Sequence, residues 1–410
     1  MEKDSVGGQI VRDITLINLV SDQTLQNLIP ILALKPARVV QVMSSDPRFP
    51  QIAGHLENAL QKLAQVRSYM SLKPSFFRET IAERSPVIST VSSVLHGIVS
   101  KYPNCVLNFT GGTKLMSIGA WQAAQENHIP TVYCDTQQKR IISAGFSQQL
   151  DRIPDFTELF STLPVEVVMA VNGVEGRLFS KKLTSRLRAF GKKAFELASE
   201  SPDEMDSYKG QIIAHFLRGK RNMPQSTSAL KSLVSTPLPS SNTNVVHEFL
   251  SSAVLAGLLV SSENGKQFYP ACNADRSQLT HLQNLLTGGW YELYLADLLC
   301  SNPSRFPTVH WSVEPEKRRT AVGETDIVAI DSASTALHII SCKSTLYNIK
   351  PLEHIEAMAQ RRLEIGGTFA KATVAVRCKP HRVMDDQVKK WGKLLKVNVL
   401  YDNEVSEHFC

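Results

Sequence analysis

This sequence predicts two α/β domains separated by a largely helical segment, and three observations carry that reading. Strand-type and helix-type runs alternate from residue 11 to residue 133, which means a parallel sheet covered on both faces. The strand-type run Cys105, Val106, Leu107 stops in Gly111 and Gly112 and restarts as a helix-type run over 115–121. A second alternation of strands and helices begins near residue 278 and fills the rest of the chain.

Residues 11–20 read as a buried strand. Ser21, Asp22, Gln23 and Thr24 form a polar turn before an amphipathic helix over 25–34, kinked by Pro30 and stopped by Pro36. A strand over 38–43 ends in Ser44, Ser45 and Asp46. Helical patterns over 50–70 and 86–101 follow, then a strand over 105–109, the Gly-Gly turn and its helix. A strand over 129–133 ends at Cys134, Asp135 and Thr136. All these polar turns lie at the carboxyl ends of strands, where open parallel sheets bind ligands. The segment 151–190 is mixed, with a strand expected over 165–170. Helices are expected over 208–218, 226–234 and 245–258, with a Ser- and Pro-rich loop over 235–243. Asn264-Gly265 between short extended runs signals a hairpin. Helices followed by a hairpin look like a winged helix; a spacer or dimer-packing module fits the same pattern. The last part predicts helices over 288–299, 352–364 and 385–395, and strands over 308–313, 324–331, 336–342, 371–378 and 397–401.

Of the 410 residues 43% are hydrophobic and 20% charged, enough apolar material for two or three ordinary globular cores. The formal charge of +7 leans toward a polyanionic partner without proving one. The 7 cysteines stand singly with no CxxC pair, which argues against a structural zinc site and a disulfide framework. No run of about 18 apolar residues occurs, so no membrane span is expected. The charged start argues against a signal peptide, so a cytoplasmic protein is expected.

Asn108, Phe109, Thr110, Gly111, Gly112, Thr113 and Lys114 read as a phosphate-binding turn. Two glycines let the backbone approach a ligand, and N–H groups at a helix start point at negative charge. Thr110 and Thr113 add hydroxyls and Lys114 adds a cation. The stretch is neither a Walker A loop nor GxGxxG, so nucleoside triphosphate hydrolysis is poorly supported. A tight turn whose glycines serve geometry alone is the plainer alternative. The second constellation lies near the end of the chain. Glu292 sits on a helix, Asp326 starts one strand, and Lys343 ends its hairpin partner. Asp326 and Glu292 would hold Mg²⁺ or Mn²⁺ through oxygen, and Lys343 would orient water or stabilise the reacting phosphate. Lys317, Arg318, Arg319, Arg361 and Arg362 suit either a phosphate backbone or a solvated face. Cys342 points to the opposite face from Lys343 by strand alternation and reads as core.

The signature over 108–116, the turn Ser21, Asp22, Gln23, Thr24 and the strand end Tyr133, Cys134, Asp135, Thr136 resemble a CARF domain. CARF domains are the Rossmann-like sensors of cyclic oligoadenylates in type III CRISPR systems. The pieces at 289–292, 323–326, 340–343 and Gly366-Gly367 are similar to the PD-(D/E)xK nuclease domain that follows CARF in CRISPR ancillary nucleases. The resemblance covers nearly the whole chain. It implies a CARF domain over 1–160, a linker and winged-helix-like segment over 161–275, and a restriction-endonuclease-like domain over 276–410. It implies a homodimeric, metal-dependent nuclease in antiviral defence, cutting DNA or RNA. The allosteric activator would be a cyclic oligoadenylate, cyclic tetra-adenylate above all. Two sensor domains would share one pocket on the two-fold axis. Thr110, Gly111, Gly112, Thr113 and Lys114 would hold phosphates there. Ser21, Asp22, Gln23, Thr24, Ser44, Asp135 and Thr136 would contact riboses or bases.

The resemblance carries the upstream acid, the metal-binding acid and the lysine onto Glu292, Asp326 and Lys343. The family reads Glu-x-Lys where this chain has Ser341, Cys342 and Lys343, so the second metal-binding carboxylate is missing at catalytic position Ser341. Three readings stay open. The site works with Glu292, Asp326 and a backbone carbonyl; or the domain is inactive; or Ser341 is a substitution that traps an uncleaved complex. Two other functions also stay open: a ligand-gated DNA-binding regulator acting through 208–271 with an inert last domain, and a metabolic nucleotide-binding enzyme.

Overall fold

The computed structural model describes residues 12–66, 69–135, 138–146, 156–175, 182–218, 222–240, 243–317, 320–321, 323–344, 350–378 and 382–410. The first sheet and its helices comprise β1 (Arg12–Leu19), α1 (Leu25–Leu34), β2 (Pro36–Ser44), α2 (Phe49–Leu63), β3 (Ser75–Ile81) and α3 (Ile88–Lys101), then β4 (Cys105–Asn108), α4 (Lys114–Glu126), β5 (Thr131–Asp135) and β6 (Arg140–Ala144). The strand order is β3-β2-β1-β4-β5-β6, and every neighbouring pair is parallel except β5 with β6. Alternation along the strands divides the core. Leu16 and Val39 join the layer of α1 and α2. Ile17, Leu19, Val40 and Val42 join α3 and α4 on the other face. The sequence patterns miss β3 and β6. Both are edge strands: β3 carries Arg78 and Glu79 at its centre, and β6 is almost wholly exposed.

The strand expected over 165–170 is instead a helix. After α5 (Phe156–Ser161), α6 (Val165–Val171) buries every residue but Glu166. A short apolar run buried on all sides has no period that separates strand from helix. Here α6 packs against α2 and against strands of the second sheet. One hydrophobic cluster therefore runs from Leu16 and Leu32 through Val168 to Val328 and Ile339, joining the two sheet domains.

β7 (Val174–Glu175) leads to the long α7 (Ser185–Glu200), which the sequence patterns do not separate from the mixed segment. The middle segment continues with α8 (Pro202–Leu217), α9 (Thr227–Ser235), α10 (Asn244–Leu255), β8 (Leu259–Ser261) and β9 (Phe268–Pro270). Helix α8 starts earlier than expected because Pro202 takes the first helical turn, where a missing N–H costs nothing. The hairpin β8–β9 turns at Gly265, φ +67°.

α11 (Arg276–Asn284) runs through a π-helical turn at Leu285–Gly289 into α12 (Trp290–Cys300). The second sheet follows: β10 (Thr308–Val313), the short β11 (Glu316–Lys317) and β12 (Thr320–Ala321), β13 (Thr325–Asp331), β14 (Ala336–Lys343), α13 (Pro351–Gly366), β15 (Ala370–Val376), α14 (Arg382–Leu395), β16 (Val397–Tyr401) and a last helix α15 (Asp402–Phe409). Its order is β10-β13-β14-β15-β16, antiparallel through β14 and parallel beyond. β11 pairs with β12 and with β7, which ties the start of the middle segment to the last domain.

Candidate functional site

The first sheet ends in a cavity of about 370 Å³ lined by Ser21, Asp22, Gln23, Gln26, Thr110, Gly112, Tyr133 and Cys134. Buried asparagines behind this lining hold it in place. Asn108, at the end of β4, donates through Nδ2 to Asn18 Oδ1 (3.0 Å), Gln26 O (3.2 Å) and Asn27 Oδ1 (3.2 Å). Pro30 has no N–H to give the carbonyl four residues back, so the Gln26 carbonyl takes Asn108 instead. Asn108 Oδ1 accepts from the Thr110 backbone (3.2 Å) and hydroxyl (2.6 Å). The Thr110 hydroxyl oxygen in turn accepts from Cys134 N–H at 2.7 Å. The ends of β1, β4 and β5 are thus bonded into one rim.

Both glycines are required by geometry. A Cβ on Gly111 would lie 2.1 Å from the Leu19 carbonyl oxygen, and Gly112 sits at φ +76°. Thr113 caps α4, its hydroxyl oxygen accepting from Met116 N–H (3.3 Å). Lys114 is the exposed first residue of that helix.

Thr24 and Ser44 do not line the cavity. Both are buried, and the Thr24 hydroxyl donates to the Val171 carbonyl of α6. Asp135 accepts from Gln138 N–H (2.9 Å) and lies 4.0 Å from Arg140. Thr136 lies outside the described residues. Sequence reasoning missed Gln26, which bonds Ser21 (2.8 Å), and Arg48, whose guanidinium stands 3.7 Å from Asp22. Gln26 lies in the first turn of α1, directly after the polar turn, a position that could have found it. Arg48 is brought there only by the fold.

In the second sheet the register Ile327↔Ile340 makes Asp326 and Ser341 cross-strand partners. The Ser341 hydroxyl donates to Asp326 Oδ2 at 3.0 Å, Cys342 N–H donates to the same oxygen at 2.6 Å, and Lys343 Nζ stands 3.7 Å from it. Glu292 comes from α12, just after the π turn, and its Oε2 accepts from Trp311 Nε1 at 3.2 Å. Burial and then the charge of Asp326 push its carboxyl up to about 8. Beside them Ser312 holds φ +51°, a conformation costly for a non-glycine residue, and donates to Glu324 (2.8 Å).

A cavity of about 950 Å³ opens at this end of the sheet. Glu292, Cys342 and Lys343 line it, whereas Asp326 and Ser341 lie behind the lining. Cys342 belongs to the core cluster of α12, as alternation requires, yet its edge reaches the cavity. Among the described residues no group of three or more acids, histidines or cysteines is arranged to hold a metal ion. The two carboxylates still suit a hard divalent cation, because Mg²⁺ is commonly held by one or two carboxylates and several waters. Burial accounts for most of the upward shift of Glu292; the smaller part comes from the charge of Asp326, which a cation would offset. Arg318 and Arg319 lie outside the described residues. Arg361 approaches Gly323: a Cβ there would meet its guanidinium at 2.9 Å.

Residues 15–154 match the family model of the Card1 CARF domain. Among solved structures, Can2 from Sulfobacillus thermosulfidooxidans in complex with cyclic tetra-adenylate aligns with TM-score 0.68 at 19% identity, over 96% of this chain and 97% of that one. VC1899 from Vibrio cholerae aligns with TM-score 0.70 at 14% identity, over 97% and 96%. A type III CRISPR defence DNA nuclease activated by cyclic oligoadenylate aligns with TM-score 0.51 at 15% identity, over 90% of this chain and 46% of that one. No curated protein sequence matches the chain. At these identities the structural likeness is one of fold, and it extends over both sheet domains. The parallel sheet over residues 15–154, with the small cavity at its end, is a CARF domain.

Proposed function

We propose that the chain is a metal-dependent nuclease gated by a cyclic oligoadenylate, cyclic tetra-adenylate first, and that it acts in type III CRISPR defence in the cytoplasm. The observation that carries this reading is the placement of Asp326, Ser341 and Lys343 on paired strands, with Glu292 beside them, in a chain whose first domain is a CARF domain. Two relatives of the same fold are described as bound to, or activated by, such rings. No helix among the described residues is long and apolar enough to cross a membrane.

An exposed apolar patch beside the small cavity supports a homodimer. Leu115, Ile118 and Trp121 follow one another along α4, and Tyr133 and Ile142 pair across β5 and β6. A two-fold axis through this patch would bring two copies of the cavity together, which suits a symmetric ring. The ring's phosphates would meet the Gly111–Gly112 backbone and the start of α4. Its riboses or bases would meet Ser21, Gln23, Gln26 and Tyr133.

At the distant site Asp326 and Glu292 would hold Mg²⁺ or Mn²⁺, which would supply Lewis-acid activation of water. Lys343 would place a positive charge against the reacting phosphate. Cys342 N–H fixes one Asp326 oxygen and leaves the other for ligation. Ser341 contributes a hydroxyl where a carboxylate would add charge, so metal affinity in this chain is expected to be low. The test uses full-length protein, as given and as Ser341→Glu, with plasmid, single-stranded DNA or RNA, Mg²⁺ or Mn²⁺, and a panel of cyclic oligoadenylates. Activator-dependent cutting that rises on Ser341→Glu supports the nuclease. Ring-dependent DNA retention with no cutting by either protein supports a regulator acting through α8–α10 and the β8–β9 hairpin, the reading that Ser341 keeps in play.

A further inference from the structure

The large cavity has two walls of different chemistry. One carries Glu292, Glu314, Glu324, Cys342 and Lys343 from α12 and the second sheet with its connecting loops; the other comes from the helices α8 and α11, with Asp275 engaged as the N-cap of α11. Lys209 of α8 enters the cavity with Nζ 2.7 Å from the hydroxyl of Ser344, the residue after Lys343. Its placement is enforced. Arg377, 5% exposed at the end of β15, donates through its guanidinium to Ala198 O of α7 (3.1 Å) and to Asp206 of α8 (3.3 Å). The backbone N–H of Arg377 donates to Lys343 O at 2.9 Å. These bonds clamp α8 against the strand ends that carry Lys343, one helical turn from Lys209. The hydrogen-bond partner of Lys209 Nζ is a neutral hydroxyl, and the nearby carboxylate of Asp206 is bonded by Arg377, so the ammonium can turn to an anion in the cavity. Along the same wall α11 exposes Arg276, Ser277, Thr280 and Asn284. Cationic and hydroxyl donors facing a wall of carboxylates suit a chain of phosphates with its scissile phosphate at Glu292.

Resting on the nuclease reading, we propose that Lys209 is a phosphate-contacting residue of that cavity, supplied by the middle segment. It holds the phosphate next to the scissile one while the strand lies along α11. The middle segment then belongs to the substrate site, and its helices act as more than a spacer.

The test measures binding of fluorescein-labelled single-stranded DNA, single-stranded RNA and duplex DNA by anisotropy. It uses full-length protein with saturating cyclic tetra-adenylate and Ca²⁺, across a salt series. Lys209→Ala is expected to weaken binding of the preferred probe about tenfold and to lower the salt slope by about 1, with Lys209→Arg close to the parent. Ser344→Ala removes the internal partner of Lys209 and is expected to leave the slope unchanged. An unchanged slope in Lys209→Ala, or an equal loss in Ser344→Ala, overturns the proposal by making Lys209 a structural tie. Failure of the parent to hold any of the three probes overturns it together with the nuclease reading. Ring-stimulated cleavage by Ser341→Glu with an unchanged Lys209→Ala slope sinks this proposal alone.

Discussion

Asn108 bonds Asn18, Gln26, Asn27 and Thr110, and is itself fully buried. Truncating it would leave several buried acceptors and one N–H unpaired. Asn108→Ala is expected to cost about 2–4 kcal/mol in urea unfolding and to abolish ring binding. A loss below about 0.5 kcal/mol would contradict the supporting role assigned to it. His338 poses a different case at the far end of the second sheet. It is fully buried, its Nε2 lies 2.7 Å from the Thr373 hydroxyl, and Asp331, His408, Lys371 and Arg305 face it. Burial lowers its pKa from 6.5 to about 3, with Asp331 opposing. The unfolded chain therefore takes up a proton below about pH 6.5 that the folded chain refuses until about pH 3. Stability contributed above that range is lost as pH falls through it, by on the order of 1–2 kcal/mol between pH 7 and pH 5. His338→Gln is expected to flatten this slope in urea titrations at the two pH values. Residues of this scale were only partly legible in the sequence. Asp326 and Lys343 announce themselves by strand position. Lys209, Arg48 and Trp311 reach their sites from elsewhere in the chain, and no spacing marks them.

At the scale of elements, the strand–Gly-Gly–helix turn was legible because its chemistry is local. Gly111 cannot carry a Cβ against Leu19, and Gly112 needs its left-handed φ. Gly111→Ala is expected to destabilise the protein by about 2–4 kcal/mol, read as a fall in thermal midpoint, and to weaken ring binding. The central strands of both sheets were legible from apolar runs, whereas β3 and β6 lacked such runs as edges, and α6 lacked a period because all of it but Glu166 is buried. α4 presents the opposite case. Its exposed Leu115, Ile118 and Trp121 are 47–50% accessible, and no interior packing explains them. Replacing Ile118 and Trp121 by Glu is expected to convert a dimer to a monomer in sedimentation while leaving the thermal midpoint of the monomer within a few degrees. A dimer that survives both changes places the two-fold elsewhere.

For the whole molecule, the question is how a ring at one sheet could govern chemistry at the other. The two domains share a hydrophobic cluster through α6, so they do not hinge freely. They also touch through polar groups: Lys139, in the turn between β5 and β6, donates to the carbonyl of Ser334 in the turn between β13 and β14. β13 and β14 carry Asp326, Ser341 and Lys343 at their other ends. Lys139→Ala is expected to leave ring affinity within about twofold and to lower ring-stimulated cleavage several-fold, since the ring shifts the equilibrium only through contacts that differ between states. The central claim is that occupancy of the CARF cavity decides when the Glu292–Asp326–Lys343 site acts. The most direct test titrates cyclic tetra-adenylate into Ser341→Glu protein with Mn²⁺ and labelled nucleic acid, recording ring binding and cleavage in the same samples. The account predicts that cleavage follows occupancy, that Asp326→Asn abolishes cleavage with ring binding intact, and that a Thr110→Ala/Lys114→Ala protein loses both together. Cleavage that is independent of the ring, or that persists in Asp326→Asn, would contradict it.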